Sequence, residues 1–501
     1  MRESLLDRAI SWVSPAAGIR RMRARVALDS ARSVLKSERG YDGAGKDVRG
    51  LNWRTPSTSG NAELVPALSV LRNRSRDLVR NNPFIKHALR VWAANMIGTG
   101  IVAKFAKPRV QALWNEWIAV CDADGLLTFG GLQLMVARAL RESGECLVRF
   151  RIRLDTDGLD VPLQLQVLES DYLDTSRTGM IEGGFCVAGV QFDRIGRRVG
   201  YWLFDQHPGD IVQIASNVQS RLVPANEVLH VFDPTDRPNT VRGLPEFAVA
   251  IWAARDSDEY REAQRVRKKI EACFAAFVVS DSDMGQPTGR RVPGERTGPT
   301  PAPVEEIVPG MISHLNPDED IRFTTPSPVS DYEQFMRVEH RGIAAGSDVT
   351  YEQMTGDFSQ VNFTSGRMGK IEFKRILEQQ QWLIFIPRFC DAVANRFVEV
   401  AYLAGKTQKA SCPRDWTAPR IEMTDPQRET AALAMQVDER FISRQEAQRQ
   451  MGQDPATMDR EIAEDPYRNS TPASPSAVDA GEGDSPMPDD SKPGTPAPKQ
   501  D

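Results

Sequence analysis

The feature that most constrains the fold is a proline- and glycine-rich stretch with a helical pattern on each side. Residues 281–303 hold five prolines and four glycines in 23 positions, a composition that predicts an exposed loop. Before this loop, apolar residues from Leu244 onward recur at helical spacing. They predict one helix of about thirty residues that ends within residues 273–279.

A second helix is predicted on the far side of the loop. Residues 307–323 read as a small β unit. Ser330 and Glu333 then have the spacing of a capping box, in which two side chains bond the backbone at a helix N-terminus. This helix should end near Ala345, so two long helices flank a small β insertion.

The part of the chain before Leu244 predicts a mixture of helices and strands. Residues 61–97 have helical spacing with a break at Asn82-Pro83, and residues 101–105 read as a short strand. A helix over residues 132–142 precedes several β-rich runs. These runs are residues 146–154, 163–168, 189–192, 200–204 and 228–232. The predicted fold class is α+β and predominantly helical.

The C-terminal part predicts a loop and then further helices. Residues 350–363 are polar and contain glycine, which is typical of a loop, and residues 365–405 are largely helical with a break at Pro387. Asp425-Pro426 predicts the start of another helix. Ser443 and Glu446 predict a short one that ends at Gly452. Residues 469–501 contain seven prolines and should be disordered.

Charge and cysteine content exclude several classes of protein. Sixty-three Lys and Arg against 68 Asp and Glu give a net charge of -5, so the whole chain is not a cationic nucleic-acid coat. Residues 1–50 differ, with eleven Lys and Arg against six Asp and Glu, and they read as a basic arm. The six cysteines form no CxxC pair, which argues against a zinc ribbon or a disulfide scaffold.

No constellation of residues predicts catalysis. Residues 40–46 match GxxxxGK, but Asp47 follows where magnesium binding needs a hydroxyl, and no apolar strand precedes the match. The histidines have no metal-binding spacing and are interpreted as structural; they are His87, His207, His230, His314 and His340. The carboxylate pairs Asp122/Asp124 and Glu169/Asp171 lie beside turn-type sequence and are interpreted the same way. The sequence therefore predicts no catalytic residue, no metal site, no cofactor and no enzyme.

Three segments, in this order, resemble a known family. The first comprises LRNRSRDL at residues 71–78, RNNP at 80–83 and NMIGTGI at 95–101. The second comprises MTGDFS at 354–359 and NFTS at 362–365, and the third ISRQE at 442–446 and GQDP at 452–455. Together, over roughly residues 20–465, they resemble the lambda-type phage portal family, the head–tail connectors of phage particles.

The resemblance implies a portal-like architecture. It implies a basic N-terminal arm (1–60), an α+β wing (61–243), a two-helix stem (244–280 and 329–349) and a β-containing clip with the Pro/Gly loop (281–328). A channel loop with inner wing helices (350–424), a helical crown (425–468) and a disordered tail (469–501) complete it. The implied function is a ring at one capsid vertex through which double-stranded DNA is packaged and ejected.

The resemblance also implies partners. The chain would bind itself in a closed ring of about twelve subunits. Further partners would be double-stranded DNA in the channel, the terminase large subunit, the major capsid or scaffold protein, and the head–tail adaptor. The protein would assemble in the host cytoplasm and reside in the virion.

Candidate site residues follow from this architecture and from electrostatics. The resemblance places Asp348, Glu352, Asp357, Ser359 and Asn362 toward the channel. The stem would carry Asp331, Glu333, Arg265, Lys268 and Lys269. A strongly basic lumen would hold DNA through counterion release, so acidic groups around the stem and loop would let the duplex slide. The alternatives that stay open are a packaging enzyme, either an ATPase or a nuclease, and a head–tail adaptor.

Overall fold

The computed structural model describes residues 57–210, 219–272, 276–280, 319–323, 331–419, 425–453 and 455–465. The predictions for residues 1–56, for the Pro/Gly loop and for the tail after Asn469 lie outside these residues. Within the described ranges, none of the helices combines the length and the apolar character that a membrane span needs.

Two helices open the described chain, α1 (Gly60–Asn81) and α2 (Pro83–Ile97). Asn82 separates them, and its side-chain oxygen accepts hydrogen bonds from the backbone N–H groups of Phe84 and Ile85 at 2.9 and 3.0 Å. Pro83 suits the first helical position because its ring sets φ and it has no N–H to leave unsatisfied. The predicted break is confirmed.

A short strand and two helices follow, β1 (Val102–Phe105), α3 (Pro108–Trp117) and α4 (Phe129–Ser143). Helix α4 begins at Phe129 rather than at the predicted Leu132. The buried Phe129 ring lies 5.2 Å from that of Trp114, and this tertiary contact extends the helix beyond its sequence pattern.

Two antiparallel sheets complete the region before Leu244. Strands β2 (Glu145–Ile152), β3 (Leu163–Glu169) and β9 (Val228–Phe232) form one sheet in the order β3-β2-β9. The other is a meander in chain order. Its strands are β4 (Gly179–Ile181), β5 (Gly184–Val187), β6 (Val190–Asp193), β7 (Arg198–Phe204) and β8 (Ser220–Pro224).

The sequence did not predict β4, β5 and β8. Strands β4 and β5 are three and four residues long, too short for a period-2 pattern to emerge. Strand β8 has consecutive exposed residues at Arg221 and Leu222, so it lacks regular alternation. Pairing with neighbouring strands, rather than a local pattern, defines all three.

The helix predicted from Leu244 differs at both ends. Residues Glu246–Ala250 form a 3₁₀ turn, and the α-helix α5 spans Ile251–Ala272. Residues Ala276–Ser280 are not the end of a helix but strand β10, which pairs antiparallel with β11 (Glu319–Phe323). The predicted β insertion therefore begins earlier than expected, because pairing with a distant strand overrides the helical pattern.

Helix α6 (Tyr332–Ala345) ends at the residue that the sequence predicted. The predicted capping box involves Ser330, which lies outside the described residues; Asp331 occupies the N-cap position. Glu333 accepts a hydrogen bond from Arg337 Nη2 at 2.6 Å, a pairing of residues four apart that stabilises a helix.

The stretch predicted as a loop contains a short helix, α7 (Tyr351–Thr355), started by a capping box of Thr350 and Gln353. Helix α8 (Phe363–Gln380) continues as a π-helical segment (Gln381–Cys390) and then as α9 (Asp391–Leu403). Pro387 lies inside this continuous rod, so the predicted break is wrong. The wider π turn accommodates a residue that cannot donate the regular hydrogen bond.

Strand β12 (Arg414–Thr417) pairs antiparallel with β1, and three helices follow, α10 (Pro426–Asp438), α11 (Arg444–Gln450) and α12 (Pro455–Glu464). Asp425 accepts from the N–H of Arg428 at 3.3 Å, and Ser443 from that of Glu446 at 3.0 Å. Both predicted helix starts are confirmed.

The main core is an aromatic cluster centred on Trp114. Its ring lies 5.0 Å from Trp117, 5.2 Å from Phe129 and 5.0 Å from Phe397 of α9. All four side chains are buried, and they join α3, α4 and α9. The architecture confirms an α+β fold that is predominantly helical.

Candidate functional site: a helix pair and its linking segment

Helices α5 and α6 form an antiparallel pair, called here the helix pair. Ser257 Oγ lies 3.5 Å from His340 Nε2, and further along α5 the Tyr260 ring lies 4.9 Å from Phe335 and 5.9 Å from Tyr332. In these contacts the residue numbers increase along α5 and decrease along α6, so the two helices run in opposite directions. Because β10 and β11 are also antiparallel, the hairpin continues past both helices.

One end of the helix pair is attached to α2. Asn82 Nδ2 donates to Asp258 Oδ2 at 2.8 Å, and the Arg261 guanidinium lies 5.2 Å from the Phe84 ring. The centre of that ring lies 4.2 Å from the centre of the His340 ring, at a tilt of 48°. His340 therefore has the structural role that the sequence predicted.

The outer half of α5, residues 258–269, is more exposed than this attachment point. It makes the contacts of Asp258 and Arg261 with α2 near its start, but none of its side chains is buried. The predicted stem cations Arg265, Lys268 and Lys269 lie here and are exposed, and Arg265 pairs with Glu262 at 3.1 Å. Cations at the C-terminal end of a helix complement its dipole. The predicted Asp331 and Glu333 lie at the opposing start of α6.

A linking segment, residues 346–362, joins α6 to α8. Its central carboxylate is Asp357, which accepts hydrogen bonds from the Tyr351 hydroxyl at 3.0 Å and the Ser359 N–H at 3.1 Å. Hydrogen bonding to Ser359, and then to Tyr351, lowers the pKa of Asp357. Burial, followed by this contact, raises the pKa of Tyr351.

The other predicted channel residues are also engaged within the subunit. Asn362 Oδ1 accepts from the Ser365 N–H at 2.8 Å and caps α8, while Asp348 Oδ2 lies 3.3 Å from Arg141 Nη1. Glu352 is half-buried on α7, and Ser359 is exposed. Within this segment, Asp357 and Asn362 accept hydrogen bonds from backbone N–H groups and so fix the path of the chain.

The outward surface of this region is apolar rather than acidic. Phe358, Phe363 and Met368 are 65%, 60% and 64% exposed. Arg367 and Lys370 lie on the same helix as Met368. The composition of residues 350–363 did not predict that these apolar side chains are exposed, because exposure depends on how the chain packs.

A buried charge cluster in the two-sheet region was missed by the sequence analysis. Glu145 of β2 accepts from Arg242 Nε at 2.9 Å, and its other oxygen lies 2.9 Å from His230 Nε2. Burial alone would raise the pKa of Glu145, but Arg242 and His230 outweigh it and lower the pKa. Burial lowers the pKa of His230 to about 4, and the ring has the structural role predicted.

The two predicted structural carboxylate pairs behave differently. Asp122 accepts from the N–H groups of Asp124, Leu126 and Leu127 and holds a turn, as expected. Glu169 and Asp171 lie near His207. In the described ranges these three form the one group of possible metal-ligating side chains whose ligand atoms all lie within 4.8 Å of one another.

Two arginines form ion pairs with Glu169 and Asp171. Arg72 Nη2 lies 2.8 Å from Asp171 Oδ1, and Arg76 Nη2 lies 2.7 Å from Asp171 Oδ2 and 3.0 Å from Glu169. Burial would raise the pKa of Asp171, but the two guanidinium groups outweigh it and lower the pKa. Two arginines already pair with these carboxylates, so a further cation would be repelled there.

Comparisons with known proteins bear on the function of the whole chain. Residues 47–381 match the family model described as phage portal protein, lambda family. A probable portal protein of Halomonas phage phiHAP-1 is 23% identical over 442 residues, 83% of each chain. Portal protein B of Escherichia phage lambda is 24% identical and covers 73% of this chain and 76% of its own.

Comparison with solved structures finds, among others, the neck of an empty gene transfer agent particle, computed with C6 symmetry. It has a TM-score of 0.44 and 15% identity and covers 76% of this chain and 94% of its own. The native neck, with C12 symmetry, has a TM-score of 0.42 and 16% identity with the same coverage.

The family model covers most of the region that contains the helix pair and the linking segment. The curated relatives are named as portal proteins, which are structural proteins of phage particles rather than enzymes, so the prediction of a non-enzyme is confirmed. This chain belongs to the lambda family of phage portal proteins.

Proposed function

We propose that copies of this chain close into a ring of about twelve at one capsid vertex, through which double-stranded DNA enters and leaves the head. The observation that carries the proposal, beyond family membership, is the helix pair. A helix whose outer half buries no side chain in one subunit gains its packing from neighbouring copies. A heterologous interface that closes supplies those copies without any catalytic centre.

The proposed subdomains keep the predicted order, with boundaries adjusted to the structure. The wing spans residues 61–243, and the stem consists of α5 and α6, including their flanking residues 244–272 and 331–349. The clip begins with β10 at residue 276 and ends with the residues after β11. The crown comprises α10, α11 and α12.

The linking segment is proposed to line the channel. Its exposed Phe358, with Phe363 and Met368 at the start of α8, suits contacts with the same region of neighbouring copies, since large apolar side chains are rarely left in contiguous exposure. Asp357 and Asn362 would then act by holding the backbone in shape, and Asp348 by its pair with Arg141. A linking segment that presents few unpaired cations to the channel would let DNA slide, because each phosphate neutralised by protein strengthens binding.

The proposed partners bind the clip and the wing. The terminase large subunit would dock on the clip, and the head–tail adaptor would replace it after packaging. The wing would contact the major capsid or scaffold protein. Assembly in the host cytoplasm followed by residence in the virion fits this sequence of contacts.

Electron microscopy with mass determination on the same sample tests the ring. The purified full chain, in low and in moderate salt, should give closed particles with a central opening wide enough for duplex DNA and a mass roughly twelvefold the 55.8 kDa chain. A stable monomer in both salt conditions would overturn the proposal.

A further inference from the structure

The wing-side ends of both stem helices meet at Arg141, the last basic residue of α4. Its side chain is buried, and its guanidinium lies 4.7 Å over the Trp92 ring. Nη2 donates to the carbonyl of Ser347, and Nη1 lies 3.3 Å from Asp348 Oδ2 and 3.8 Å from Glu246 Oε2. An arginine fork is suited to hold several acceptors in fixed relative positions.

These acceptors belong to different helices of the stem. Glu246 opens the 3₁₀ turn that leads into α5, whereas Ser347 and Asp348 follow the last turn of α6. The backbone beside Arg141 leaves little freedom: a Cβ on Gly144 would lie 2.4 Å from the carbonyl carbon of Leu244. One guanidinium therefore ties the wing to the beginning of one helix and to the end of the other.

Asp348 is itself part of the linking segment and lies just before α7. Its φ is +48°, a left-handed conformation that non-glycine residues adopt at a cost and keep only where surrounding contacts impose it. Thr350, two residues later, caps α7. A change in position of Asp348 is therefore transmitted directly to the start of the linking segment.

Arg141 pairs with two carboxylates, Glu246 and Asp348, and two further carboxylates act on Glu246. Asp348 after α6 faces Glu246, and so do Asp233 and Asp236, which follow β9, while Arg141 of α4 is the cation among them. Burial raises the pKa of Glu246 to about 7, since the repulsion from these carboxylates adds to it and Arg141 offsets it in part. The side chain keeps 28% exposure, so solvent can exchange its proton.

We propose that Arg141 is a positioning residue that holds the wing-side ends of the stem and the start of the linking segment in one arrangement, and that the charge of Glu246 sets how firmly it does so. The proposal rests on the proposed function only in assigning α5 and α6 to the stem. When Glu246 is neutral, it no longer repels Asp348, Asp233 and Asp236, and Arg141 pairs with Asp348 alone. The arrangement that Arg141 holds is therefore favoured at lower pH. It weakens as pH rises toward 7 and changes little above it.

Hydrogen exchange of the full chain tests the role of Arg141. The readout is the protection factor of backbone amides 347–349, which donate to the last carbonyls of α6. Arg141→Gln should lower it at least about tenfold. Arg138→Gln is the matched control, since Arg138 lies one turn earlier on α4 and is exposed, and it should leave protection unchanged. Equal protection in wild type and Arg141→Gln would overturn the proposal.

A pH series tests the role of Glu246. Between pH 5 and pH 8 the protection factor of the wild type should fall about tenfold or more, whereas Glu246→Gln should stay near the low-pH level throughout. A wild-type protection factor that does not change with pH overturns the Glu246 part. If Arg141→Gln fails to fold, the protection factor of amides 347–349 is measured in Arg141→Lys instead, because this variant keeps the charge and loses the fork. Protection equal to that of the wild type would again overturn the role of Arg141. Particle mass, measured in parallel, tests the ring independently of these results.

Discussion

Trp114 and its aromatic neighbours are buried between α3, α4 and α9, whereas the outer half of α5 has no buried side chain in residues 258–269. The two-sheet region also contains a fully buried charge cluster around Glu145. Such a region is stabilised within one subunit by apolar burial and by paired charges. The outer half of α5 buries no side chain within its own subunit. As part of the proposed stem, it should therefore gain stability on assembly.

Breaking the buried charge cluster should give the largest effect. Arg242→Ala leaves Glu145 without its main cation in a site without solvent access, and should lower the free energy of unfolding by about 3–5 kcal/mol. Urea unfolding followed by tryptophan fluorescence measures this. Arg221→Ala, which removes an exposed ion pair with Asp205, is the control and should cost less than about 1 kcal/mol.

Acid should weaken the same cluster. His230 is neutral when folded because its pKa is lowered to about 4 from 6.5, so the unfolded chain binds a proton first as pH falls. Stability should decrease by about 2–3 kcal/mol between pH 6.5 and pH 4. Below about pH 4.5 the loss should continue, because the lowered pKa of Glu145 acts in the same direction.

The variant His230→Gln isolates the histidine contribution. It keeps a donor toward Glu145 but does not titrate, so the dependence between pH 6.5 and pH 4 should become shallower in urea unfolding. An unchanged slope would show that other groups carry the pH dependence.

Asn82 lies where the two regions meet. Asn82→Ala removes the cap of α2 and the hydrogen bond to Asp258, and should cost about 1–2 kcal/mol. Hydrogen exchange should show the loss in both α2 and α5. Asn81→Ala, which removes only an exposed contact with Asp77, should have little effect.

Substitutions at Asp357 separate charge from shape in the linking segment. Asp357→Lys should leave ring assembly intact and slow DNA packaging in a reconstituted assay, since it loses the Tyr351 contact and adds a phosphate-binding cation. Asp357→Asn keeps most of the hydrogen bonding and should slow packaging less. Equal packaging rates for wild type and Asp357→Lys would contradict a channel position for the segment.

The smallest effect on a single subunit is expected in the stem. Val266→Ser, on the exposed outer half of α5, should change the free energy of unfolding of the subunit by less than about 0.5 kcal/mol. The same change at the buried Val136 of α4 should cost about 2–4 kcal/mol. Ring stability, measured by the mass distribution on dilution, should nevertheless decrease for Val266→Ser.

Short-range chemistry was readable from the sequence. Asn82-Pro83, Asp425 and Ser443 start helices through contacts within three residues, so their sequence neighbours suffice to predict them. The order of three motifs placed the chain in the portal family, and the family model agrees. The α+β class followed from the alternation of helical and strand patterns.

Tertiary structure alone decided the rest. Strands β4, β5, β8 and β10 exist because partner strands pair with them, and the π-helical segment around Pro387 continues where local rules predict a break. Arg141 contacts Ser347 across 206 positions, and Arg242 contacts Glu145 across 97. Such contacts depend on where distant segments meet, because the free energy that determines them comes from burial and charge pairing in the folded chain rather than from neighbours in sequence.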